Sequence, residues 1–164
     1  IQVVLIEWKY CESYGGADLH YAKSGKDRTS IYRWLYERDD CPLDRATLDL
    51  IGFEALFFEP FYQFLRQQLL AHEMERAHEL CAERVTLLHI APLHNMDFRR
   101  ITSRALQPLS ETATGVWSQL VVPPERFLSV STEALFGAFD VACCPALVPW
   151  REYVQARYPW VFVS

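Results

Sequence analysis

The opening residues end in an acid and a lysine two positions apart, Glu7 and Lys9, on the run Ile-Gln-Val-Val-Leu-Ile-Glu-Trp-Lys-Tyr. Alternate residues of a strand point to one face, so Val3, Leu5, Glu7 and Lys9 form one row and Gln2, Val4, Ile6, Trp8 and Tyr10 the other. Two charges thus close a row that otherwise belongs in a core, where charges are placed when they are paired or hold a metal. An acid that can sit on a cation, with a lysine beside the attacking water or the phosphate, is what metal-dependent phosphodiester chemistry requires. The same pair is also compatible with an ordinary cross-strand ion pair on a half-exposed strand.

The elements that must position this pair follow from the apolar pattern. Both faces of residues 1 to 8 are largely apolar, which predicts a central strand covered on both sides, as in parallel or mixed sheets. The charges come at its carboxyl end, where open α/β sheets build their sites. Residues 15 to 28, rich in Gly, Asp, Lys and Ser, read as a loop, Thr29 to Arg38 as a helix or strongly aromatic irregular structure, and Arg45 to Leu50 as a further short segment before Gly52. A long helix is expected from about Glu59 to Cys81, with Pro60 in its first turn and Glu59 at its positive end. Leu70, Met74, Ala77 and Cys81 make one helical stripe, which runs back through Gln67 and Gln63. Phe58, Phe61, Leu65 and Leu69 form a second apolar face. Arg84 to Ala91 reads as a strand stopped by Pro92. Strand, helix and strand together predict a crossover joining two parallel strands. Further on, the pattern suggests helices over Asp97 to Leu106 and Pro149 to Tyr158, and a helix or strand over Val116 to Val122. Phe127 to Ser131 reads as a strand, and Thr132 to Phe139 as a helix capped by its threonine.

With these elements in place, Ile6-Glu7-Trp8-Lys9 resembles the second half of the PD-(D/E)xK motif of restriction-endonuclease-like nucleases. The run from Glu59 to Ala71 resembles a bacterial group within that superfamily, and the likeness spans roughly residues 3 to 95. The resemblance implies an α/β (α+β) restriction-endonuclease-like core in a single domain over residues 1–164, with C-terminal helices added. It also implies that the core's first helix and first strands, which carry the second metal-binding acid, precede Ile1, so an N-terminally truncated fragment with impaired activity is expected. The implied activity is Mg2+- or Mn2+-dependent hydrolysis of DNA phosphodiester bonds. Glu7 and the Trp8 backbone carbonyl would be metal ligands, and Lys9 would orient the water or steady developing charge. Gln63 would be an accessory amide touching the carboxylate, the water or the phosphate; alternatively, its amide bonds backbone near the helix start. The rival reading is a non-catalytic scaffold that keeps the nuclease fold.

Other residues contribute less. Glu12 is either an auxiliary ligand, if the chain bends at Cys11, or a solvated acid. His72 and His78 are six apart on a helix and point away from each other, so they cannot share a zinc ion. His89 reads as a core histidine on the second strand, and Arg66 as a surface residue. Lys23, Lys26 and Arg28, and Arg99, Arg100 and Arg104, are local basic clusters in a chain of net charge −5. That charge argues against a protein that coats nucleic acid generally. Hydrophobic residues make up 51% of the 164 positions and aromatics 14%, which excludes disorder. The five cysteines have no Cys-x-x-Cys spacing, which fits a reducing cytoplasm and neither a disulfide framework nor a zinc ribbon. No stretch has the length of a membrane span, and no glycine-rich phosphate loop is present. Expected partners are therefore DNA and, through an exposed strand edge, a second copy of the chain as a homodimer.

Overall fold

Three parallel strands carry the site, lying side by side in chain order. The structure is a computed structural model that describes residues 1–162; residues 163 and 164 of the expected domain lie outside the described residues. In chain order the elements are β1 (Gln2–Trp8), α1 (Thr29–Tyr36), α2 (Arg45–Ile51), α3 (Phe61–Arg76), β2 (Arg84–Ala91), α4 (Met96–Arg99), α5 (Ala113–Leu120), β3 (Phe127–Ser131), α6 (Thr132–Gly137) and α7 (Val148–Arg157), with short 3-10 turns between them. This is the mixed α/β, α+β arrangement expected from the sequence. The β1–α3–β2 crossover joins parallel strands in register from Gln2↔Arg84 to Trp8↔Ile90. β3 adds to the far side of β2, from Leu87↔Phe127 to Ala91↔Ser131.

The first strand is not central. It lies at the edge of the sheet, and the side turned away from α3 is open over its first half: Val4 is 44% exposed and Ile6 62%. At its carboxyl end Trp8 meets Phe136 of α6 and Tyr10 meets Tyr158 and Trp160, although both rings stay half-exposed. The apolar pattern reports what each face could bury and not whether an element arrives to cover it.

The side turned toward α3 holds the main core. Phe64 of α3 is fully buried with its ring against those of His89, Phe98, Trp117 and Phe127. Aromatic rings at such separations prefer edge and tilted geometries, and their burial dominates the packing energy here. α3 is shorter than the sequence predicts and ends at Arg76, after which His78, Leu80 and Cys81 all take positive φ (51°, 54° and 58°). Left-handed backbone at a non-glycine residue cannot propagate a right-handed helix. The core stripe also differs from expectation. Phe61, Phe64, Leu65, Gln68, Leu69 and Ala71 are buried, whereas Leu70 is 56% exposed. The Gln63–Gln67–Leu70–Met74 stripe is therefore a margin of the helix, lying over the β1 edge of the sheet.

The smaller changes are local. Residues 97–106 give the one-turn α4 and a 3-10 segment, Arg104–Leu109, that contains Pro108. α6 is capped by Ser131, whose side chain accepts from the Ala134 N–H, so Thr132 is not the cap. Phe136, Val154 and Val161 form a second, small apolar cluster on the opposite side of the sheet. All five cysteines are free thiols.

Candidate active site

The β1 row that begins with Val3 and Leu5 delivers Glu7 to the sheet margin under α3, and Lys9 follows just past the strand. The Lys9 backbone N–H still donates to the Ile90 carbonyl at 2.8 Å, which fixes the chain as it leaves the sheet. Lys9 is 7% exposed, and its Nζ lies 2.6 Å from Glu7 Oε1 and 3.9 Å from Glu12 Oε1. A buried ammonium needs such partners. Burial works against its charge, yet the hydrogen bond to Glu7 and the fields of Tyr14, Glu7 and Glu12 prevail and hold its pKa above the usual lysine value. Lys9 is thus a permanent cation at neutral pH.

Gln63, in the first turn of α3, donates from Nε2 to Glu7 Oε1 at 3.3 Å and accepts from the Tyr14 hydroxyl at 3.2 Å. Its amide is therefore committed in orientation, with the nitrogen toward the carboxylate. One turn along, Gln67 bonds through Oε1 to His89 Nε2 at 2.8 Å, and His89 is the register partner of Glu7 on β2. His89 is 1% exposed. Burial lowers its pKa to about 4, with the field of Glu7 raising it and that of Lys9 lowering it further, so the ring is neutral at physiological pH. It is a core histidine, as the sequence suggests.

Three further groups complete the site. Glu12 returns toward Lys9 after the chain turns at Cys11, and its Oε2 is buried with no hydrogen-bond partner among the described residues. Glu59, just before α3, is half-buried with a similarly unpartnered Oε2, and burial raises its pKa against the opposing effects of the Gln63 N–H and Lys9. Burial also raises the pKa of Tyr14, while Lys9 lowers it. Sequence reasoning missed Tyr14 and the role of Glu59. Tyr14 lies in an irregular segment with no periodicity to exploit, and Glu59 gave only the signal of an acid before a helix. Arg28 and Arg66 both lie over the Tyr62 ring, at 5.3 and 5.7 Å from its centre, and their charges act to lower the Glu59 pKa. Trp8 projects its side chain through to the other side of the sheet, against Phe136. Asn95 donates to the Tyr10 carbonyl at 3.4 Å and caps α4.

Glu7 and Glu12 supply carboxylate oxygens, the donor type that a hard divalent cation takes. Mg2+ takes oxygen ligands, keeps several waters and needs only one or two carboxylates. Glu7, with the unpartnered Oε2 of Glu12 nearby, offers such oxygens. Among the described residues no group of three or more His, Cys, Asp or Glu side chains is arranged to hold a metal ion.

An acid, a lysine and a helix-borne amide thus gather at the carboxyl end of a parallel strand. Residues 2–159 match the family described as Restriction Endonuclease associating with ARP, and the chain belongs to that family. No curated protein and no solved structure matches it. No helix among the described residues is long and apolar enough to cross a membrane.

Proposed function

We propose that this protein is a Mg2+- or Mn2+-dependent nuclease of the PD-(D/E)xK type that hydrolyses DNA phosphodiester bonds in the cytoplasm. The observation that carries the reading is the Glu7–Lys9 pair held from above by Gln63, in a chain of a restriction-endonuclease family. Glu7 would hold the ion, with the Trp8 carbonyl as a second oxygen and Glu12 within reach as an auxiliary. A bound Mg2+ supplies a more acidic water and neutralises charge on the phosphate. The chain's own residues do the rest. Lys9 keeps its proton and presents a fixed positive charge to the oxygen on which negative charge develops. Gln63 holds the Glu7 carboxylate in one orientation, and Tyr14 holds Gln63. Arg28 and Arg66, stacked on Tyr62, meet the flanking phosphates as rigid cations. The free edge of β1 suits a homodimer formed by strand addition.

A second reading, a non-catalytic scaffold, is favoured by the 2.6 Å Lys9–Glu7 contact, which already satisfies the carboxylate without a metal. A plasmid-nicking assay separates the two. Turnover that requires Mg2+, is blocked by EDTA and is lost in Lys9→Met supports the nuclease. No metal-dependent cleavage, or equal cleavage by Lys9→Met, leaves the scaffold.

A further inference from the structure

Directly across β1 from Glu7 and Lys9 lies a pocket of about 320 Å3, lined by Trp8, Tyr10, Thr132, Phe136, Tyr158 and Trp160. Its volume sits at the small end of ligand sites, which typically run from about 300 to 1,000 Å3. Its walls are aromatic from three directions: Trp8 and Tyr10 from β1 and the residues after it, Phe136 from α6, and Tyr158 and Trp160 from the segment that follows α7. Trp8 meets Phe136 edge-on at 5.3 Å, whereas Tyr10 and Trp160 lie 6.1 Å apart and tilted. Trp8 is 47% exposed even with Phe136 against its ring.

Besides tyrosine hydroxyls and indole N–H groups, the lining includes a threonine. Thr132 is 1% exposed, and its Oγ1 has no hydrogen-bond partner among the described residues. Buried hydroxyls are nearly always bonded, and the exceptions call for an explanation. Ser131 caps α6 and leaves the Thr132 hydroxyl unused by the helix. Beside the lining residue Tyr158, the Arg157 guanidinium lies 5.6 Å from the centre of that ring.

We propose that this pocket takes a nucleobase of a single-stranded nucleic acid. Ring faces stack on a base, a hydroxyl that both donates and accepts serves a base edge, and Arg157 meets a phosphate. Neighbouring residues of a strand point to opposite faces about 3.3 Å apart along the chain. A base held against Trp8 therefore leaves its backbone free to cross the carboxyl end of β1 toward Glu7 and Lys9. The proposal rests on the nucleic-acid part of the reading above. It adds that the substrate is single-stranded, or has a base turned out of the stack, at the point of reaction.

The test is fluorescence-anisotropy binding in EDTA, where no cleavage intervenes, using a labelled thymidine oligonucleotide and the thymidine–adenine duplex of the same length. The expected result is tighter binding of the single strand. Trp160→Ala should weaken it about tenfold or more, as loss of one stacked base does. Thr132→Val, which keeps shape and removes the hydroxyl, should weaken it several-fold, and Trp160→Phe should restore most of the affinity. Because binding is read in EDTA, where the metal-dependent reaction is silent, a failure of cleavage and a failure of the pocket are read separately. A uridine strand bound more tightly than thymidine would name RNA as the source of the base and sustain the pocket. Parent-like binding by both Trp160→Ala and Thr132→Val, or tighter binding of the duplex, overturns the proposal.

Discussion

Gln63 on α3 donates its amide N–H to the Glu7 carboxylate at 3.3 Å, joining residues 56 positions apart at the margin where the helix crosses the edge strand. The same amide accepts from Tyr14, so neither of its ends is free to rotate. An acid held this way keeps one orientation without help from the solvent, which a ligand or an electrostatic catalyst needs.

Metal binding should depend on both partners of that bond. In titration calorimetry with Mn2+, Glu7→Gln should abolish or greatly weaken binding, because a neutral amide replaces the charged oxygen. Gln63→Leu should weaken it by about 10- to 100-fold, the usual effect of removing an orienting neighbour. Equal binding by parent and Glu7→Gln would remove Glu7 from the site.

Lys9 needs two substitutions to separate charge from packing. Because it is buried against Glu7, Lys9→Ala should lower stability by about 1 to 3 kcal/mol, leaving a carboxylate short of a partner and space unfilled. Lys9→Met keeps most of the volume and should melt closer to the parent while losing turnover. Thermal melts beside nicking rates make the comparison; if Lys9→Met retains turnover, the charge has no catalytic part.

Acid should destabilise the fold through His89. Its pKa is about 4 in the folded chain against an ordinary 6.5, so the unfolded chain binds the extra proton first as pH falls. Above pH 6.5 both states are neutral and nothing is lost. Between pH 6.5 and about 4 stability drops progressively, by a total of about 3 kcal/mol at about 1.36 kcal/mol per pH unit. Urea midpoints measured across this range should fall in the parent and fall less in His89→Gln. Identical slopes in the two proteins would assign the acid sensitivity elsewhere.

The sequence by itself determined the ingredients of the site and the order of its elements. Glu7 and Lys9 share a face because strand periodicity leaves no alternative, and Gln63 and Gln67 share one because helical periodicity spaces them by a turn. Strand, helix and strand required a crossover, and β2 and β3 were legible from branched and aromatic runs bounded by turns. Tertiary structure alone decided what these faces meet. The apolar outer row of β1 looked like the face of a covered central strand, yet Val4, Ile6, Trp8 and Tyr10 all remain exposed, and only Trp8 and Tyr10 meet aromatic rings of later elements. Leu70 continued a convincing apolar stripe but fell beyond the sheet margin, while Gln63 and Gln67 on that stripe found Glu7 and His89. Tyr14, Glu59 and Thr132 gave no periodic signal, because their roles come from neighbours brought in by loops and helix ends. Periodicity is a property of one element, whereas burial and pairing belong to two elements, and the second is set by the path of the whole chain.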